Sequence, residues 1–396
     1  MYWNSGSSQL IHMEKPPPRS PRPFRVLLVA PLPPPSSGIG RQIILLQRWL
    51  NNKPEVKVQV VDIAPRWRAV EDMKLWKRVM GGGLQGIRDA LLTMVELVSH
   101  RPLILHLHTS AQLRGPWDTG CLAVAALMGV RTFYSIHMGR LPAVMARQGL
   151  EWYGLRWALK LADRVVVLDQ SSEEALKRFL PAERVVRLPN AMALWPVELE
   201  GAPPEPQTVL YLGHVIPTKG MQELMEAWRE LRPQGWHLRL AGLGSAAYQQ
   251  VLLEMAGPAA GVEFLGDLPS ELAWKCMQAA TIFVLPSHTE GFPNVVLEAM
   301  AAGKAIISTR VGAIPEMLDA DENDPCGLVI QPRDPSALAA ALHALMANPE
   351  RRKVLGQRAR AKLERSYTTD AVYGRLLTLW REDSKKGTMN KHSCLI

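Results

Sequence analysis

Short apolar runs alternate with segments of helical period along the whole of this 396-residue chain. Runs of about four to eight residues that stop at glycine, proline or a polar residue are typical of strands buried on both faces. When such strands alternate with helices, the expected architecture is a parallel sheet with helices on both sides. The pattern therefore predicts a doubly wound α/β fold.

The alternation runs through two successive sets of elements. In the first set, strands are predicted at 25–30, 56–63, 103–106, 131–136, 164–168 and 184–188, and helices at 39–50, 117–128, 141–161 and 173–179. In the second set, strands are predicted at 209–212, 237–241, 262–265, 282–285, 305–308 and 327–330, with helices that include 221–231 and 335–346. Two tandem α/β domains follow from this repetition.

A proline-rich stretch, PVELEGAPPEP, separates the two sets and is typical of an interdomain linker. We predict a disordered N-terminal arm at 1–23, Rossmann-like domains at 24–195 and 207–366, the linker at 196–206, and a C-terminal helix and tail at 367–396. The helix has an apolar side formed by Val372, Leu376, Leu379 and Trp380. We expect it to cross back to the first domain, with the two domains facing a cleft.

Four scattered cysteines, Cys121, Cys276, Cys326 and Cys394, form no CxxC pair, which argues against a disulfide framework or a zinc site. No apolar stretch approaches the roughly 18–20 residues of a membrane span. We therefore expect a cytoplasmic protein. Its charge is uneven, because residues 1–200 carry 26 Lys and Arg against 16 Asp and Glu, whereas residues 201–396 carry 20 against 21. A basic half suits nucleic acid, an anionic membrane or a phosphorylated substrate, and equally a well-solvated surface.

Three glycine-bearing loops follow strands of the second domain. In YLGHVIPTKG, Gly213 ends a strand and Lys219 precedes a helix, where an ammonium group and backbone N–H groups suit a phosphate. A solvated lysine at a helix start is the plainer interpretation. Gly242 in AGLGS and Gly266 in VEFLGDLP would let a ligand approach the backbone, or would simply make a tight turn.

A fourth loop carries two carboxylates, Glu290 and Glu298, in EGFPNVVLE, and AMAAGKAIIST follows it. The helix that starts here exposes N–H groups to polar oxygens, although its dipole also favours carboxylates without any ligand. All four loops follow successive strands, and ligands of doubly wound sheets bind at the carboxyl ends of the strands. Their order predicts one ligand site along this edge.

These loops resemble those of the retaining GT-B glycosyltransferases of family 4, the group 1 class. The signature of that family is EGFPxxxxE followed by AMAxGxPxIxT, and the likeness is specific over residues 205–365. The first domain shares only the order of elements and a few loops. The resemblance implies that the second domain holds a nucleotide-sugar and the first holds the acceptor, with the reaction in the cleft.

Carried over residue by residue, the resemblance implies that Glu298 binds the ribose hydroxyls, Lys219 neutralises the diphosphate and Glu290 faces the donor sugar. Backbone N–H groups of the loop between the glutamates would hold sugar hydroxyls or the diphosphate, and the residues concerned are Gly291, Phe292, Pro293, Asn294 and Val295. The family usually has arginine where this chain has His214, which weakens the expected two-cation clamp. Arg41 of the first domain is an alternative source of charge.

In the first domain, Gly38 and Gly40 of SSGIGR resemble the family's glycine-rich loop, where backbone amides would meet a phosphate or the acceptor. His137 in YSIHMGR matches the family's histidine near the reactive sugar carbon, and we count it as catalytic beside the lysine and the first glutamate. Asn190 in LPNAM resembles a turn before the hinge and is given a structural role.

Two further patterns leave alternatives open. His106 and His108 alternate on a strand, and without an evident third ligand for a metal we expect an acceptor-side site or plain packing. The segment 67–80 places Trp76 among basic residues, which suits an anionic membrane surface or the wet face of an ordinary helix. Three glycines at 81–83 predict its end or a hinge there.

The resemblance implies a metal-independent hexosyltransferase (EC 2.4) that retains anomeric configuration in polysaccharide or cell-envelope glycan synthesis. Its acceptor would be a glycan, a lipid-linked glycan or another hydroxyl compound. A UDP-sugar or GDP-sugar is expected as substrate, with no cofactor, no metal and no nucleic acid partner, and with membrane attachment at the cytoplasmic face. The alternatives are a sugar-nucleotide epimerase of the same fold and a nucleic-acid-binding protein, which the basic half alone suggests.

Overall fold

The computed structural model describes residues 23–34, 38–64, 75–110, 114–194, 207–257 and 261–393, with the backbone alone at 75–82 and 386–393. The predictions for the N-terminal arm, for the linker and for the basic side chains of 67–80 lie outside this description.

The first sheet contains six parallel strands in the order β2-β1-β3-β4-β5-β6. The strands are β1 (Phe24–Ala30), β2 (Val56–Asp62), β3 (Ile104–Thr109), β4 (Arg131–Ile136), β5 (Arg164–Val167) and β6 (Val185–Arg187). Their helices are α1 (Gly38–Leu50), α2 (Leu75–His100), α3 (Gly115–Leu127), α4 (Leu141–Arg147), α5 (Leu150–Leu161) and α6 (Gln170–Lys177).

The second sheet contains six parallel strands in the order β12-β11-β10-β7-β8-β9. The strands are β7 (Thr208–Leu212), β8 (His237–Ala241), β9 (Val262–Gly266), β10 (Ile282–Leu285), β11 (Ala305–Thr309) and β12 (Leu328–Ile330). Their helices are α7 (Met221–Leu231), α8 (Ala246–Ala256), α9 (Ser270–Ala279), α10 (Asn294–Ala301), α11 (Ile314–Met317), α12 (Pro335–Met346) and α13 (Pro349–Ser366).

Both sheets reverse their winding direction beside the first strand of the set. In the first sheet β1 lies between β2 and β3, and in the second sheet β7 lies between β8 and β10. Such a switch point opens a crevice at the carboxyl ends of the two strands, where ligands of doubly wound folds bind. The prediction of two doubly wound α/β domains is confirmed.

The last helix, α14 (Thr369–Ser393), leaves the second domain and packs on the first. Trp380 is fully buried in a core that also contains Val26 and Leu28 of β1. Asp383, also fully buried, places Oδ2 2.8 Å from Nε of Arg164. The predicted crossing of this helix is therefore confirmed, and its apolar side is the one that periodicity indicated.

Two predicted helix boundaries in the first domain are wrong. The single helix expected at 141–161 is two helices, because Gln148 adopts a left-handed conformation (φ 49°) and Gly149 begins α5. The three glycines at 81–83 do not end or divide α2, because this helix runs without interruption from Leu75 to His100. Glycine lowers helix propensity by only about 1 kcal/mol, which tertiary packing overrides.

Candidate active site

Glu290 lies in the loop after β10, at the switch point of the second sheet. Its Oε1 accepts hydrogen bonds from Nζ of Lys219 and from Oγ of Ser287, both at 2.6 Å. Ser287 is fully buried, so the carboxylate is held by one mobile cation and one fixed hydroxyl. Two of the three predicted catalytic residues therefore meet in direct contact.

The position of Lys219 follows from the turn in which it lies. Pro217–Lys219 form a 3-10 turn, and Gly220 then takes a left-handed conformation (φ 72°) before α7 begins. A side chain at Gly220 would overlap the carbonyl oxygen of Pro286, so only glycine lets this turn pack against the loop after β10. The close packing brings the lysine over the switch point.

Glu298 lies one helix further, on α10, and faces the first domain. Nη1 of Arg41 lies 3.4 Å from its Oε1, and Nη2 of Arg41 is 3.4 Å from Oγ of Ser270. Burial raises the pKa of Glu298, and the Arg41 guanidinium opposes this effect. The charge of Arg41 is thus beside the carboxylate predicted for ribose.

The loop after Glu290 offers fewer backbone donors than expected. Pro293 has no N–H group, and the side chain of Phe292 is buried against Tyr367, with ring centroids 5.7 Å apart. The Oδ1 of Asn294 accepts a hydrogen bond of 2.9 Å from Asn190. Of the five predicted residues, Gly291, Phe292, Asn294 and Val295 retain an N–H group that a donor substrate could use, and Pro293 is excluded as a donor.

Glycines bring the two domains together at Glu290. A side chain at Gly139 would overlap the carbonyl oxygen of Glu290, and a side chain at Gly312 would overlap the same oxygen from the second domain. The Glu290–Gly291 peptide is therefore enclosed between the two domains. Gly139 lies two residues after His137, so this contact sets how closely that histidine approaches Glu290.

A polar network centred on Gln42 also joins the domains. Its Nε2 donates to the carbonyl of Ala191 at 2.9 Å and to Oδ1 of Asn294 at 3.3 Å. Its Oε1 accepts from the hydroxyl of Tyr373 on α14 at 3.0 Å. Gln42 and Asn190 thus converge on Asn294, which gives Asn190 an interdomain role that its place in a turn did not indicate.

Three histidines form a line at the carboxyl ends of β3 and β4. Nδ1 of His108 lies 3.0 Å from Nε2 of His137, and the His108 ring stacks on His106 at a centroid distance of 4.2 Å. Nε2 of His106 lies 2.7 Å from Oγ of Ser135. Packing, one of the two alternatives expected for the two strand histidines, is therefore present, and it extends to the predicted catalytic histidine.

Burial keeps these histidines uncharged. It lowers the pKa of His106 to about 3 and the pKa of His137 to about 4, and it places the pKa of His108 well below the ordinary value. For His106 and His108, the neighbouring histidines lower the pKa further. At neutral pH His137 is a neutral imidazole that can donate or accept one hydrogen bond at each nitrogen, but cannot neutralise a phosphate.

The remaining predicted residues have structural explanations beside their predicted roles. A side chain at Gly242 would overlap the carbonyl oxygen of Gly213, so the packing of these two strand ends already requires glycine at position 242. Gly266 is left-handed (φ 67°), and Gly38 and Gly40 lie in the first turn of α1. The side chain of His214 is exposed, and its carbonyl accepts a 2.7 Å hydrogen bond from Tyr211.

Sequence reasoning missed Gly139, Ser287 and Gln42. Gly139 follows His137 in YSIHMGR, and Ser287 directly precedes the loop of Glu290, so proximity along the chain was a usable signal for both. Gln42 offered none, because it lies in an ordinary helix and its partners are more than 140 residues away. Within the described ranges, no cluster of three or more His, Cys, Asp or Glu is arranged to hold a metal ion. None of the helices described has the length and apolarity of a membrane span.

Comparison with protein-family models gives two matches that follow one another along the chain. The model for glycosyl transferases group 1 matches residues 198–362, and the model for the glycosyl transferase 4-like domain matches residues 21–191. Together they cover both doubly wound domains and the segment that carries Glu290 and Glu298.

Curated relatives are distant. Sulfoquinovosyl transferase SQD2 of Arabidopsis thaliana is 24% identical over 72% of this chain, which spans only 59% of that protein. Glycogen synthase of Mycobacterium tuberculosis is 26% identical over 76% of this chain and 74% of the relative.

Solved structures share the fold. Sucrose-phosphate synthase of Thermosynechococcus elongatus superposes with a TM-score of 0.70 at 18% identity, covering 91% of this chain and 98% of that one. HepE of Anabaena, solved in complex with UDP, superposes with a TM-score of 0.66 at 15% identity, covering 91% of this chain and all of that one.

Proposed function

Because this chain belongs to the group 1 glycosyltransferases, we propose that it transfers a hexosyl group from a nucleotide-sugar to a hydroxyl group of an acceptor, with retention of anomeric configuration. The observation that carries the proposal is the direct contact of Lys219 with Glu290 at the switch point of the second sheet. Glu298 follows on the next helix, opposite the first domain. A cation and two carboxylates at one crevice suit a diphosphate, a sugar and a ribose.

The donor is a UDP-sugar or a GDP-sugar, which is a substrate and not a cofactor. Glu298 accepts hydrogen bonds from the two ribose hydroxyls, because a carboxylate has two oxygens with free lone pairs. Nη1 of Arg41 lies 3.4 Å from this carboxylate, so the ribose displaces or shares that contact. HepE, which shares the fold, was solved in complex with UDP, and this supports a nucleotide as part of the donor.

Lys219 stabilises the diphosphate as it leaves. An ammonium group has three N–H donors, so Lys219 can keep Glu290 and still donate to diphosphate oxygens. Positive charge placed where negative charge develops lowers the barrier directly. His214 is exposed and Arg41 faces Glu298, so we propose that Lys219 is the main side-chain cation of the clamp, with the N–H groups that begin α10 as further donors.

The acceptor oxygen attacks on the face from which the diphosphate leaves. The bond from the sugar carbon to the diphosphate oxygen breaks, the new bond forms on the same face, and the acceptor proton passes to the departing diphosphate. Glu290 is already engaged by Lys219 and Ser287, so we propose that it orients the sugar and does not form a covalent intermediate. His137, neutral at physiological pH, donates a hydrogen bond near the reacting carbon. No step requires a metal ion.

The acceptor is a glycan or a lipid-linked glycan, as in polysaccharide or cell-envelope synthesis. The basic excess of the first half suits an acceptor that carries phosphate, and it suits contact with an anionic membrane. The segment that first suggested this contact, 67–80, lies outside the described side chains. A cytoplasmic location with reversible attachment remains part of the proposal.

A thermal-shift panel of UDP, GDP, ADP and their sugars tests the proposed function. A ligand that binds only the folded protein raises its melting temperature. At a ligand concentration of about one hundred times Kd, the free energy of unfolding rises by about 2.7 kcal/mol. We expect UDP or GDP to stabilise the wild type and to stabilise Glu298→Gln much less, with Glu322→Gln as an exposed control on the same domain. The proposal is wrong if no nucleotide stabilises the wild type. Donor converted to a new sugar nucleotide without acceptor would identify an epimerase.

A further inference from the structure

The outer face of the first domain carries an apolar stripe on α2 that no described residue covers. Leu84, Ile87, Leu91, Val95 and Val98 are between 45% and 67% exposed. Their spacing places them within roughly one quarter of the helix circumference. The residues that α2 buries, among them Asp89, Thr93 and Leu97, lie on the opposite side. The outward stripe of α2 is therefore apolar although it does not contribute to the core of the domain.

A second stripe with the same spacing lies on α5. Leu150, Tyr153, Trp157 and Leu161 are between 39% and 84% exposed, and they repeat the intervals of three and four residues seen on α2. The opposite side of α5 buries Trp152, Leu155, Ala158 and Leu159. Single exposed apolar residues are ordinary, but two aligned stripes in one domain are not.

Both stripes face the same way. Helices α2, α3 and α5 contribute to one core on one face of the first sheet, with Leu97, Leu122 and Leu155 among the residues that share it. Helices α1 and α14 cover the other face. Because α3 packs against both α2 and α5, the two stripes flank it on a single outer layer. Leu127, at the end of α3, is 89% exposed and extends the apolar surface.

The charges on this layer are basic. Lys160 and Arg156 approach the ring of Trp157 at 5.5 and 5.4 Å from its centroid, and Arg156 lies 4.4 Å from that of Tyr153. Arg88 is exposed beside the α2 stripe. Aromatic rings flanked by lysine or arginine are typical of the boundary between lipid headgroups and acyl chains.

The carboxylates of these helices are already paired within the described residues. Asp89 contacts Arg114 at 2.9 Å, Glu96 contacts His100 at 2.7 Å, and Glu151 contacts Arg140 at 2.7 Å. Asp118 is buried and accepts a hydrogen bond from Tyr134. The outer layer therefore presents apolar and positive groups without an opposing acidic row.

We propose that the outer layer formed by α2, the end of α3 and α5 is a docking surface for an anionic lipid bilayer. The helices lie on the membrane and do not cross it, with apolar stripes at the level of the acyl chains and basic groups at the headgroups. A second copy of the chain is a poorer occupant, because a two-fold contact through this layer would place its basic groups against one another. The surface lies on a face of the sheet, away from the carboxyl edge, so the cleft stays open to its substrates. The proposal stands independently of sugar transfer.

Vesicle flotation of the full chain without any donor substrate tests this surface. We expect the wild type to float with vesicles of equimolar phosphatidylcholine and phosphatidylglycerol, and to float little with phosphatidylcholine alone. A higher salt concentration should weaken binding. Each basic residue near the anionic membrane surface raises the partition coefficient about fivefold, and salt screens this attraction. Failure of the wild type to float would overturn the proposal whatever its transferase activity.

A charge-matched pair of variants assigns the binding to this layer. Leu91→Glu combined with Trp157→Glu should lower the partition coefficient at least tenfold, because two apolar anchors are lost. Val251→Glu combined with Leu253→Glu, exposed on α8 of the second domain, adds the same charge and should leave flotation close to the wild type. Thermal melting verifies that both variants fold.

Two results would contradict the assignment. Equal flotation of the two double variants would place lipid binding elsewhere in the chain. A wild type that sediments as a dimer, with the Leu91→Glu and Trp157→Glu variant a monomer, would make the layer a protein interface instead. Retained donor binding by both variants, measured by thermal shift, keeps this test separate from that of the active site.

Discussion

Nδ1 of His108 lies 3.0 Å from Nε2 of His137, and both rings are uncharged at neutral pH. Only one of the two nitrogens can carry the proton of this hydrogen bond. The contact therefore couples the tautomer of His137 to that of His108, and it fixes the plane of the ring that faces the cleft. Under the proposed function, His108 is a positioning residue that acts through His137.

Removing this hydrogen bond should affect turnover more than donor binding. We expect His108→Phe to lower kcat about 10- to 100-fold, as loss of an orienting partner does at other catalytic or metal-bound histidines, with donor KM within about threefold. His108→Gln, which can still form a hydrogen bond, should recover part of kcat. His106→Phe, which preserves the stack without touching His137, is the control. Equal kcat in all three would show that His137 needs no partner.

Replacing Lys219 should slow the reaction because the leaving diphosphate loses its charge partner. We expect Lys219→Met to lower kcat by about 10²–10³, the usual effect of removing one electrostatic contact to a developing charge. Lys219→Arg should recover part of the activity. Lys275→Met, which replaces an exposed lysine of the second domain, should leave kcat unchanged. Steady-state transfer kinetics with the donor identified by thermal shift provides the measurement. A small effect on kcat with a large rise in KM would show that Lys219 helps to bind the donor but does not stabilise the leaving diphosphate.

The contact between Gly139 and Glu290 predicts sensitivity to a single methyl group. Gly139→Ala should push the loop of Glu290 away from the first domain, and displacement of about 1 Å at a reacting centre lowers turnover about 100-fold. Gly120→Ala is the matched control, because no atom lies within 4 Å of its added methyl group. Turnover of the two variants should differ, while their far-UV circular dichroism should not. Full activity of Gly139→Ala would mean that the domains close without this contact.

Local pattern was sufficient for most elements of the fold. Short-range periodicity identifies buried strands and amphipathic helices, and β8 and α7 lie at the residues that this periodicity predicted. Lys219 and Glu290 were both predicted as site residues, from loops that follow successive strands and from the family resemblance. Their mutual contact at 2.6 Å became visible only in the structure.

The rest depends on contacts between distant segments. No local signal joins Gln42 to Asn294, or Arg41 to Glu298, because the relative placement of the two domains decides these pairs. The continuity of α2 through three glycines has a similar origin, since packing of α2 on the first domain outweighs weak local propensity. The two exposed stripes were missed for a different reason. Their residues have the same spacing as the core-facing residues of any amphipathic helix, and only the exposure of the side chains in the structure shows that they face outward.

Protonation of the buried histidines should make the first domain acid-sensitive. The folded pKa of His106, about 3, lies below the value of about 6.5 expected when unfolded, so the unfolded chain binds more protons between these limits. The contribution of the neutral histidine to the free energy of unfolding is fully present above about pH 6.5. It is lost as the pH falls towards 3, by up to about 1.4 kcal/mol per pH unit for each such histidine. Urea unfolding at pH 7 and pH 5 measures this loss. His106→Phe should reduce the difference, and His343→Phe, at an exposed position of α12, is the control. An unchanged difference in His106→Phe would contradict the assignment.

The buried ion pair at Asp383 predicts that α14 stabilises the first domain. Asp383 is fully buried between Arg164, at 2.8 Å, and Arg131, at 3.8 Å. Asp383→Asn leaves the Arg164 guanidinium without its carboxylate, while Arg131 keeps Asp163 at 2.7 Å, and should destabilise the domain by about 3 kcal/mol. Glu55→Gln removes the exposed contact of Glu55 with Arg381 on the same helix and should cost less than about 1 kcal/mol. The denaturant midpoint of the first domain measures both effects, and equal midpoints for the two variants would show that the apolar contacts of Trp380 alone hold the helix in place.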